Sequence, residues 1–509
     1  MLAKIETSTV VGVSAVPVTV EVDVADGLPG VTIVGLPDMA VKESKERIKS
    51  ALKNSQFAWP QTRVTVNLAP ADIRKEGSAF DFPMALGLLA ASRQLETDLF
   101  ADTVALGELA LDGALRPVPG VLPIALSLKG RGKRLLLPAA NAPEAAVVGG
   151  LQVHPIQHLH QAVAFLKKSQ EIPPLQVSPG DWMKPALLDG LDFSEVKGQS
   201  LAKRALEIAV CGSHNVLFFG PPGSGKTMLA QRIPTIMPGM SIEETLETTV
   251  VYSVLGGVSA QQPLIAARPF RSPHSTISDV GLAGGGAVPK PGEISLAHHG
   301  VLFLDELPEF GRSALEALRQ PLEDGRVTVS RALGSVTFPA RFMLVASMNP
   351  CPCGFAGDPT KTCLCTPGRI HRYRTRISGP LLDRIDIHLE VPAVSLSELT
   401  GDSQGESSAA IRERIAETRR RQKSRFEGEP VFCNAQMRHR HLKRWCRLNP
   451  EGRELLKRAI QTVGFSARAY DKILKVSRTI ADLADSEEIQ PEHLAEAIQY
   501  RALDRTAWV

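Results

Sequence analysis

The chain shows three successive patterns of apolar and polar residues. Residues 1–168 mix alternating runs, such as Arg63–Leu68, with helical runs, such as Phe82–Ser92. Residues 193–392 alternate helical patterns with short runs that are wholly apolar. After residue 408 the pattern is helical almost throughout. The pattern therefore predicts an α+β region, an α/β region and a helical region, in that order.

The wholly apolar runs of the second region are Val216–Phe219, Val301–Leu304 and Phe342–Ser347. Strands that are apolar on both faces are typical of a parallel sheet covered by helices on both sides. Two turn-rich stretches, Gln170–Lys184 and Ser395–Ser408, separate the regions. We predict a multidomain α/β protein with four parts: an α+β domain at residues 1–168, a linker at 169–192, an α/β core at 193–400 and a helical lid at 401–509.

Charge changes this picture only when it is resolved by region. The 509 residues carry 58 lysines and arginines and 54 acids, a net charge of +4, which excludes a polybasic chain that attracts nucleic acid over its whole surface. The net charge is +1 over residues 1–168, −2 over 169–401 and +5 over 402–509. The sequence shows neither a long apolar span nor a convincing signal peptide. It predicts a cytoplasmic protein without a membrane partner.

A phosphate-binding motif follows the first apolar run of the α/β region. Residues 220–227 read Gly-Pro-Pro-Gly-Ser-Gly-Lys-Thr, which fits G-x-x-x-x-G-K-[ST]. In this motif backbone N–H groups and a helix N-terminus hold phosphates, the lysine reaches the β- and γ-phosphates, and the threonine ligates Mg²⁺. The predicted ATP-binding residues are Gly220, Pro221, Pro222, Gly223, Ser224, Gly225, Lys226, Thr227 and Met228.

Two carboxylates end the next long apolar run. Asp305 and Glu306 come directly after Val301–Leu304. We expect Thr227 to ligate Mg²⁺, Asp305 to hold the ion through its water, and Glu306 to polarise the attacking water, because ATP hydrolysis needs a metal that neutralises charge and a base that orients the nucleophile. The two motifs together predict an ATPase.

Further motifs give the sequence a specific resemblance. The P-loop, Asp305-Glu306, Ser347-Met348-Asn349, Leu381–Asp386 and Ser466–Ala469 occur in the order of an AAA+ module, in which a P-loop core with a parallel sheet is followed by a helical lid. Nearly the whole chain resembles the ComM/YifB family, in the magnesium-chelatase-like branch of AAA+ proteins.

This resemblance implies roles for three further residues. Asn349 corresponds to sensor 1, which orients water near the γ-phosphate. Arg384 corresponds to an arginine finger supplied across a subunit boundary, with Arg374 and Arg376 as rivals. Arg468 corresponds to sensor 2 in the lid. A site completed by a neighbouring subunit implies a ring, which we expect to be a homo-hexamer.

Four of the seven cysteines lie within fifteen residues, at Cys351, Cys353, Cys363 and Cys365. Two short thiol pairs joined by a turn-rich loop can form a tetrahedral thiolate site, for which zinc is the usual metal. An iron–sulfur cluster and free or redox-active thiols stay open as alternatives. The arginine-rich strip Arg369–Arg376 follows the quartet and either faces DNA or a neighbouring subunit, or is a solvated helix face.

The N-terminal region resembles the proteolytic domain of Lon-type proteases, a fold similar to ribosomal S5 domain 2. The resemblance rests on Lys75–Asp81 and on the stretch from Gly107 to Gly120. Alanine, at Ala79, stands where those enzymes carry the nucleophilic serine, and no lysine follows Gly120 at the expected place. We therefore expect a binding or ring-organising domain without protease activity.

Candidate DNA contacts lie in two segments between the P-loop and sensor 1. The first is the glycine-rich stretch Asp279–Ile294 with Lys290, and the second is a predicted hairpin that starts at Gly325 and carries Arg326 and Arg331. An ordinary surface hairpin is the alternative for the second. Two other basic stretches, Arg419–Arg425 and Arg438–Arg444, either contribute contacts or are solvated surface.

The motifs and the resemblance together predict a DNA translocase or helicase. The resemblance implies a role in recombination, with branch migration during natural transformation, and single-stranded or branched DNA and recombination proteins as partners. A magnesium-chelatase motor subunit is the first alternative, which the cysteine quartet and the N-terminal domain disfavour. A chaperone-like remodeller of proteins is the second.

Overall fold

A computed structural model describes residues 1–183, 190–331, 334–358, 361–393 and 405–501. The chain forms two compact units, Met1–Pro185 with Ser241–Ala266, and Ala186–Met240 with Ala267–Val509. The predicted boundary between core and lid at residue 400, and residues 184–189 of the predicted linker, lie outside the described residues. The four-part division therefore stays a prediction.

The first unit is built on a mixed sheet of seven strands in the order β3-β4-β2-β1-β5-β8-β9, with a separate β6–β7 hairpin. Its strands are β1 Leu2–Val11, β2 Ser14–Ala25, β3 Gly30–Val34, β4 Arg63–Ala69, β5 Thr103–Ala105, β6 Glu108–Leu109, β7 Leu115–Arg116, β8 Arg134–Pro138 and β9 Gln152–Ile156. Its helices are Met39–Asn54, Asp81–Ala91, Val121–Leu128, Ala142–Ala146, Leu159–Leu166, Pro179–Trp182 and Ile242–Ser253, with 3₁₀ turns at Thr97–Phe100 and Ala139–Asn141.

These elements agree with the pattern of the N-terminal region. The run predicted as a strand from Arg63 is β4, and the helical run from Phe82 is the helix Asp81–Ala91. Every residue of that helix is buried, because it is apolar on all sides and packs on β1 and β2. The predicted α+β architecture of this region is therefore present.

One helix of the first unit comes from the middle of the chain. Helix Ile242–Ser253 begins at Ser241, whose side chain and Glu244 form a capping box. Val250 and Leu264 are buried in the same apolar cluster as Val121 and its neighbours. The Ser253 hydroxyl donates to the Glu144 carboxylate at 2.5 Å, and the Ser253 carbonyl accepts from the Gly120 N–H at 2.9 Å. The sequence alone does not indicate that this segment packs on the core of the N-terminal region.

The second unit contains a parallel sheet of five strands in the order β11-β14-β17-β10-β18. Its strands are β10 Val216–Phe219, β11 Phe270–Arg271, β12 Gly284–Gly285, β13 Lys290–Pro291, β14 Val301–Leu304, β15 Arg326–Arg331, β16 Gly334–Pro339, β17 Met343–Met348 and β18 Ile387–Glu390. The three wholly apolar runs are β10, β14 and β17 as predicted, with β17 shifted by one residue.

Helices flank this sheet and then continue alone into the lid. The helices of the second unit are Ser200–Gly212, Lys226–Ile236, Asp279–Ala283, Glu293–Leu296, Arg312–Ala317, Arg319–Asp324, Pro367–Arg374, Gly379–Leu382, Ser408–Arg425, His439–Trp445, Pro450–Val463, Ala467–Leu483 and Pro491–Gln499, with 3₁₀ turns at Phe193–Glu195, Leu307–Glu309 and Asn434–Gln436. From Ser408 onward the described residues form helices and turns, as the pattern predicts. The mixed α/β class is confirmed.

None of the helices in the described ranges is long and apolar enough to cross a membrane.

Candidate functional site

The parallel sheet brings the predicted nucleotide motifs to one edge. Strands β14, β17 and β10 are adjacent and parallel, so their carboxyl ends lie side by side. Asp305 follows β14, Asn349 follows β17 and Gly220 follows β10. Ligands of open α/β sheets bind at this edge of the strands.

The turn between β10 and helix Lys226–Ile236 requires its glycines. Gly223 and Gly225 have φ of +78° and +88°, and Gly225 is the helix N-cap. A side chain at Gly220 would place Cβ only 2.1 Å from the carbonyl oxygen of Val391. Glycine is therefore favoured at Gly223 and Gly225 by the left-handed φ, and at Gly220 by the close approach of another backbone segment.

Lys226 is almost fully buried at the start of this helix. Its ammonium donates to the carbonyl oxygens of Gly220 at 2.8 Å and Pro221 at 2.7 Å, and to the Asn349 side-chain oxygen at 3.2 Å. Burial lowers the pKa of Lys226, and the nearby carboxylate of Asp305 acts against that shift. The P-loop lysine and the predicted sensor 1 are thus in direct contact.

The two predicted magnesium ligands are also paired. The Thr227 hydroxyl donates to the Asp305 carboxylate at 2.9 Å. The Ser347 hydroxyl, at the end of β17, donates to the other oxygen of Asp305 and accepts from the Glu306 N–H at 3.1 Å. Glu306 is exposed and has a left-handed φ of +53°, a strained backbone conformation for a residue other than glycine.

These residues fit a magnesium nucleotide. A hydroxyl and a carboxylate at hydrogen-bond distance are the oxygen ligands that Mg²⁺ prefers. The buried Ser224 hydroxyl has no hydrogen-bond partner among the described residues, so this loop keeps a polar group for a ligand. Met228 lies one turn into the helix, where its methyl group would be 3.4 Å from a Cβ at Gly225.

The predicted arginine finger lies elsewhere in the second unit. Arg384 is paired with the Glu323 carboxylate and donates to the Pro380 carbonyl oxygen at 2.6 Å. The predicted sensor 2, Arg468, begins the lid helix Ala467–Leu483 and lies 3.3 Å from Asp383. Arg384 belongs to the turn after helix Gly379–Leu382, and Arg468 contacts its neighbour Asp383. Both predicted arginines are therefore located at the same turn.

The rival arginines of the strip Arg369–Arg376 have local partners. Arg376 pairs with Glu309 at 2.9 Å. The Arg374 guanidinium lies over the Phe219 ring, 5.8 Å from its centroid, and donates to the Pro350 carbonyl oxygen at 3.2 Å. Arg374 therefore anchors helix Pro367–Arg374 to the core.

The cysteine quartet forms one compact cluster. The four Sγ atoms of Cys351, Cys353, Cys363 and Cys365 all lie within 4.8 Å of one another. The Cys351–Cys353 distance is 3.3 Å, and Cys363 lies 3.6 Å from both. Thiolates around a tetrahedral zinc at about 2.3 Å stand about 3.8 Å apart, so the cluster fits a single metal ion. A backbone hydrogen bond from Phe355 lowers the pKa of Cys353 to about 6, whereas burial and the neighbouring thiols raise the pKa of Cys363 to about 12 against a backbone hydrogen bond from Cys365, so without a metal the thiols share their protons unequally.

The loop that carries the cluster touches the nucleotide site. A Cβ at Gly354 would lie 2.5 Å from the ring of the P-loop residue Pro222. The buried Tyr373, which interacts electrostatically with Cys351, accepts a hydrogen bond from the backbone of Asn349, while burial raises the pKa of Tyr373 to about 12. The cluster is therefore connected to both the P-loop and sensor 1.

The predicted DNA contacts lie on two hairpins. Lys290 is exposed in β13, which pairs with β12. Arg326 is exposed at the start of β15, which pairs with β16 as the sequence predicts. The backbone of Arg331 ends β15, but its side chain lies outside the described residues.

Three contacts of the second unit are not evident from the sequence. Ser347 joins the Asp305 carboxylate to the backbone N–H of Glu306, and Tyr373 contacts the backbone of the predicted sensor 1, Asn349. In addition, the Lys472 ammonium of the lid lies 2.6 Å from the buried Asp386 carboxylate, which also accepts from the Asn215 N–H at 2.9 Å. Ser347 and Tyr373 stand in stretches that the sequence singles out, but nothing in their spacing, or in that of Lys472, indicates these partners.

In the first unit, the residues near the protease-like motif do not form a serine–lysine pair. The Ser78 hydroxyl donates to the Glu108 carboxylate. The fully buried Lys75 ammonium donates to backbone carbonyl oxygens, including that of Ile73 at 2.7 Å. Burial lowers the pKa of Lys75, but its amine is directed at the backbone.

Family models match most of the chain. The model described as magnesium chelatase, subunit ChlI, matches residues 192–399, and that subunit's C-terminal model matches residues 405–501. A model described as subunit ChlI of Mg-chelatase matches residues 20–141. A shorter similarity, 31% identity over 28% of this chain and 26% of its relative, is to Lon protease 2 of Bacillus subtilis.

Two relatives match almost end to end. The chain is 46% identical to competence protein ComM of Haemophilus influenzae and 44% identical to YifB of Escherichia coli, in each case over 99% of this chain and 98% of the relative. The protein therefore belongs to the ComM/YifB family of magnesium-chelatase-like AAA+ proteins.

Proposed function

We propose that this protein is an ATP-hydrolysing ring motor that binds and translocates on DNA, and that it acts as a helicase in branch migration during natural transformation. The observation that carries the ATPase is the meeting of Lys226, Thr227, Asp305 and Asn349 at one sheet edge. The relative named as a competence protein supports the biological role.

The proposed reaction is the transfer of the γ-phosphoryl group of ATP to water. Glu306 takes a proton from the water as its oxygen attacks the γ-phosphorus, the bond to the β–γ bridging oxygen breaks, and ADP and phosphate leave. Lys226 and the P-loop N–H groups hold the phosphates, while Asn349 orients the water. Mg²⁺, held by Thr227 and Asp305, would neutralise charge on the phosphates.

We place Arg384 at a subunit boundary of a homo-hexamer. In the single chain its guanidinium is paired with Glu323. A neighbouring nucleotide would compete with Glu323 for this cation, and a bidentate guanidinium stabilises charge on a transferring phosphoryl group. Hydrolysis would then require assembly, while Arg468 would report the nucleotide state to the lid.

We assign the cysteine cluster to structural zinc. Sulfur atoms within 4.8 Å of one another surround one ion, whereas a multi-iron cluster would stand between the thiolates and hold them farther apart. The zinc would stiffen the loop from Cys351 to Cys365, which contacts Pro222 of the P-loop.

For DNA we propose phosphate contacts from Lys290, Arg326 and Arg331 on the two hairpins, with single-stranded or branched DNA as substrate and recombination proteins as partners. Both described cations are exposed, and phosphate contacts supply affinity without sequence preference. The N-terminal unit would be a protease-like fold without the dyad, since Ser78 pairs with Glu108.

A magnesium-chelatase motor subunit is the second candidate, because the three family models carry that description. It would use the same ATP site but would act on a metal-inserting partner rather than on DNA.

ATP hydrolysis with no DNA, and with single-stranded, duplex and branched DNA, tests the proposal. We expect DNA to stimulate hydrolysis and branched substrates to be migrated with ATP. Hydrolysis that is indifferent to every DNA but rises with a chelatase partner would establish the second candidate instead.

A further inference from the structure

The basic excess of the C-terminal region is concentrated in one short stretch. Residues 419–447 contain ten lysines and arginines against two glutamates, a net charge of +8, whereas residues 402–509 as a whole carry only +5. The rest of that region is therefore acidic on balance.

The fold brings the two ends of this stretch together. Helix Ser408–Arg425 and helix His439–Trp445 enclose a cleft of about 560 Å³. Arg421 and Arg425 line it from the first helix, and Arg444 and Trp445 line it from the second. The Arg444 guanidinium lies over the Trp445 ring at 4.6 Å from its centroid, and that of Arg425 at 5.8 Å.

Most cations of this cleft form ion pairs with carboxylates, but Arg444 does not. Arg425 and the buried Arg478 share the Asp482 carboxylate, and Arg421 pairs with Asp485 at 2.7 Å. Three glutamates also line the cleft, of which Glu429 pairs with Arg440 and His441. Arg444 is exposed and forms no ion pair within the described part of the chain, although it lies near enough to Glu429 to help lower the pKa of that carboxyl, after the larger effect of His441.

Trp445 adds a second feature that a nucleic acid can use. Its ring is partly exposed, and its buried indole N–H has no hydrogen-bond acceptor among the described residues. An aromatic ring beside an arginine that has no ion pair is an arrangement by which single strands are held, through contacts of the ring with bases and of the guanidinium with phosphates.

We infer that this cleft of the lid, which we call the lid cleft, is a second contact site for single-stranded DNA. Arg444 would bind a backbone phosphate, and the exposed part of the Trp445 ring would contact a base. The inference rests on the proposed DNA motor, but it places a contact in the lid, apart from the two hairpins.

Equilibrium binding of a fluorescent oligo-dT to the full chain tests the inference. For Arg444→Glu we expect about tenfold weaker binding, with the slope of log affinity against log salt reduced by about 0.7, the value for one lost phosphate contact on a single strand. Arg444→Lys should retain most of the affinity, because the charge is kept.

Arg458→Glu is the matched control, since Arg458 is an exposed arginine on another lid helix, Pro450–Val463. It should bind as the wild type does, and thermal unfolding should show that both glutamate variants are folded. If Arg444→Glu fails to fold, Arg444→Gln replaces it, with the same loss expected.

The binding results distinguish a failure of the proposed function from a failure of the lid cleft. No binding of DNA by the wild-type chain would overturn both the proposed function and the lid cleft. If the wild-type chain binds DNA, two results would overturn the lid cleft alone. One is a folded Arg444→Glu variant that binds DNA as tightly as wild type, and the other is an equal loss of affinity in Arg458→Glu. Tighter binding of duplex DNA or of polyglutamate through Arg444 would overturn the single-strand assignment.

Discussion

The ammonium of Lys472 lies 2.6 Å from the carboxylate of Asp386, and this ion pair fastens the lid to the core of the second unit. Asp386 is almost fully buried, and it also accepts from the Asn215 N–H at the start of β10. The Asn215 side chain in turn accepts from Leu344 N–H in β17 and donates to the Arg384 carbonyl oxygen. One carboxylate thus ties the lid, two sheet strands and the turn of the predicted arginine finger together.

Lys472→Met should destabilise the second unit by about 3 kcal/mol, because it leaves a buried carboxylate without its cation. Thermal unfolding would show the loss as a lower transition temperature. The double variant Lys472→Met/Asp386→Asn should recover part of it, since no charge then stays buried. A single variant as stable as wild type would show that the pair contributes nothing.

Stability of the second unit should also fall on acidification. Burial lowers the pKa of His214, whose Nδ1 lies 3.7 Å from Asp386, so protonation favours the unfolded state as the pH falls below about 6.5. Burial opposes ionisation of Asp386, but Lys472 and His214 hold its pKa below the usual range, so its contribution is lost only in stronger acid. Unfolding temperatures measured between about pH 7 and pH 5 should fall, and His214→Gln should flatten that part of the profile.

Two substitutions in the ATP site should separate binding from hydrolysis. Lys226→Ala removes the ammonium that lies between the P-loop carbonyls and Asn349, and should weaken nucleotide binding at least about tenfold. Glu306→Gln keeps these contacts and should bind ATP normally while hydrolysis falls on the order of a hundredfold or more. Calorimetric titration and phosphate release measure the two effects. Equal loss of binding in both variants would contradict the assigned roles.

Gly354→Ala should weaken ATP binding by about tenfold, because the new Cβ would meet the ring of Pro222 at 2.5 Å and displace the P-loop. Gly357→Ala is the matched control in the same loop. Gly354 and Gly357 have φ of +85° and +81°, so both substitutions cost about 1 kcal/mol of backbone strain, but Gly357 has no neighbouring atom within 4 Å. Equal nucleotide affinities in the two variants would show that the contact does not matter.

Elemental analysis should find about one zinc per chain, and Cys363→Ser should lose it. Removal of the metal with a chelator should weaken ATP binding in the same direction as Gly354→Ala, because the loop from Cys351 to Cys365 loses the ion that holds its shape. An iron absorption spectrum would contradict zinc. Unchanged nucleotide affinity after metal removal would separate the cluster from the ATP site.

The sequence predicts those parts of the molecule that depend on local rules. Strand β10 and the turn after it follow from an apolar run and fixed glycine positions, so the P-loop could be placed to the residue. The compact quartet around Cys351 follows from short spacing. These features depend on neighbours along the chain, which a pattern records directly.

Contacts between residues far apart in the chain could not be predicted from the sequence. The approach of Gly354 to Pro222, and the pairing of Lys472 with Asp386, join positions far apart in the chain, and each residue alone is common on protein surfaces. The same holds for helix Ile242–Ser253, whose amphipathic pattern requires a core but does not specify which one. Only the three-dimensional arrangement distinguishes these residues from ordinary ones.

That helix has a practical consequence for dividing the protein. Because residues 241–266 complete the N-terminal unit, no single cut in the polypeptide separates the two units into whole pieces. A fragment ending near residue 183 would expose the apolar surface that Val250 and Leu264 cover, at about 1.5 to 3 kcal/mol for each side chain lost. Such a fragment is expected to be poorly soluble, whereas a graft of residues 241–266 onto its C-terminus, through a flexible spacer, would restore the missing cover.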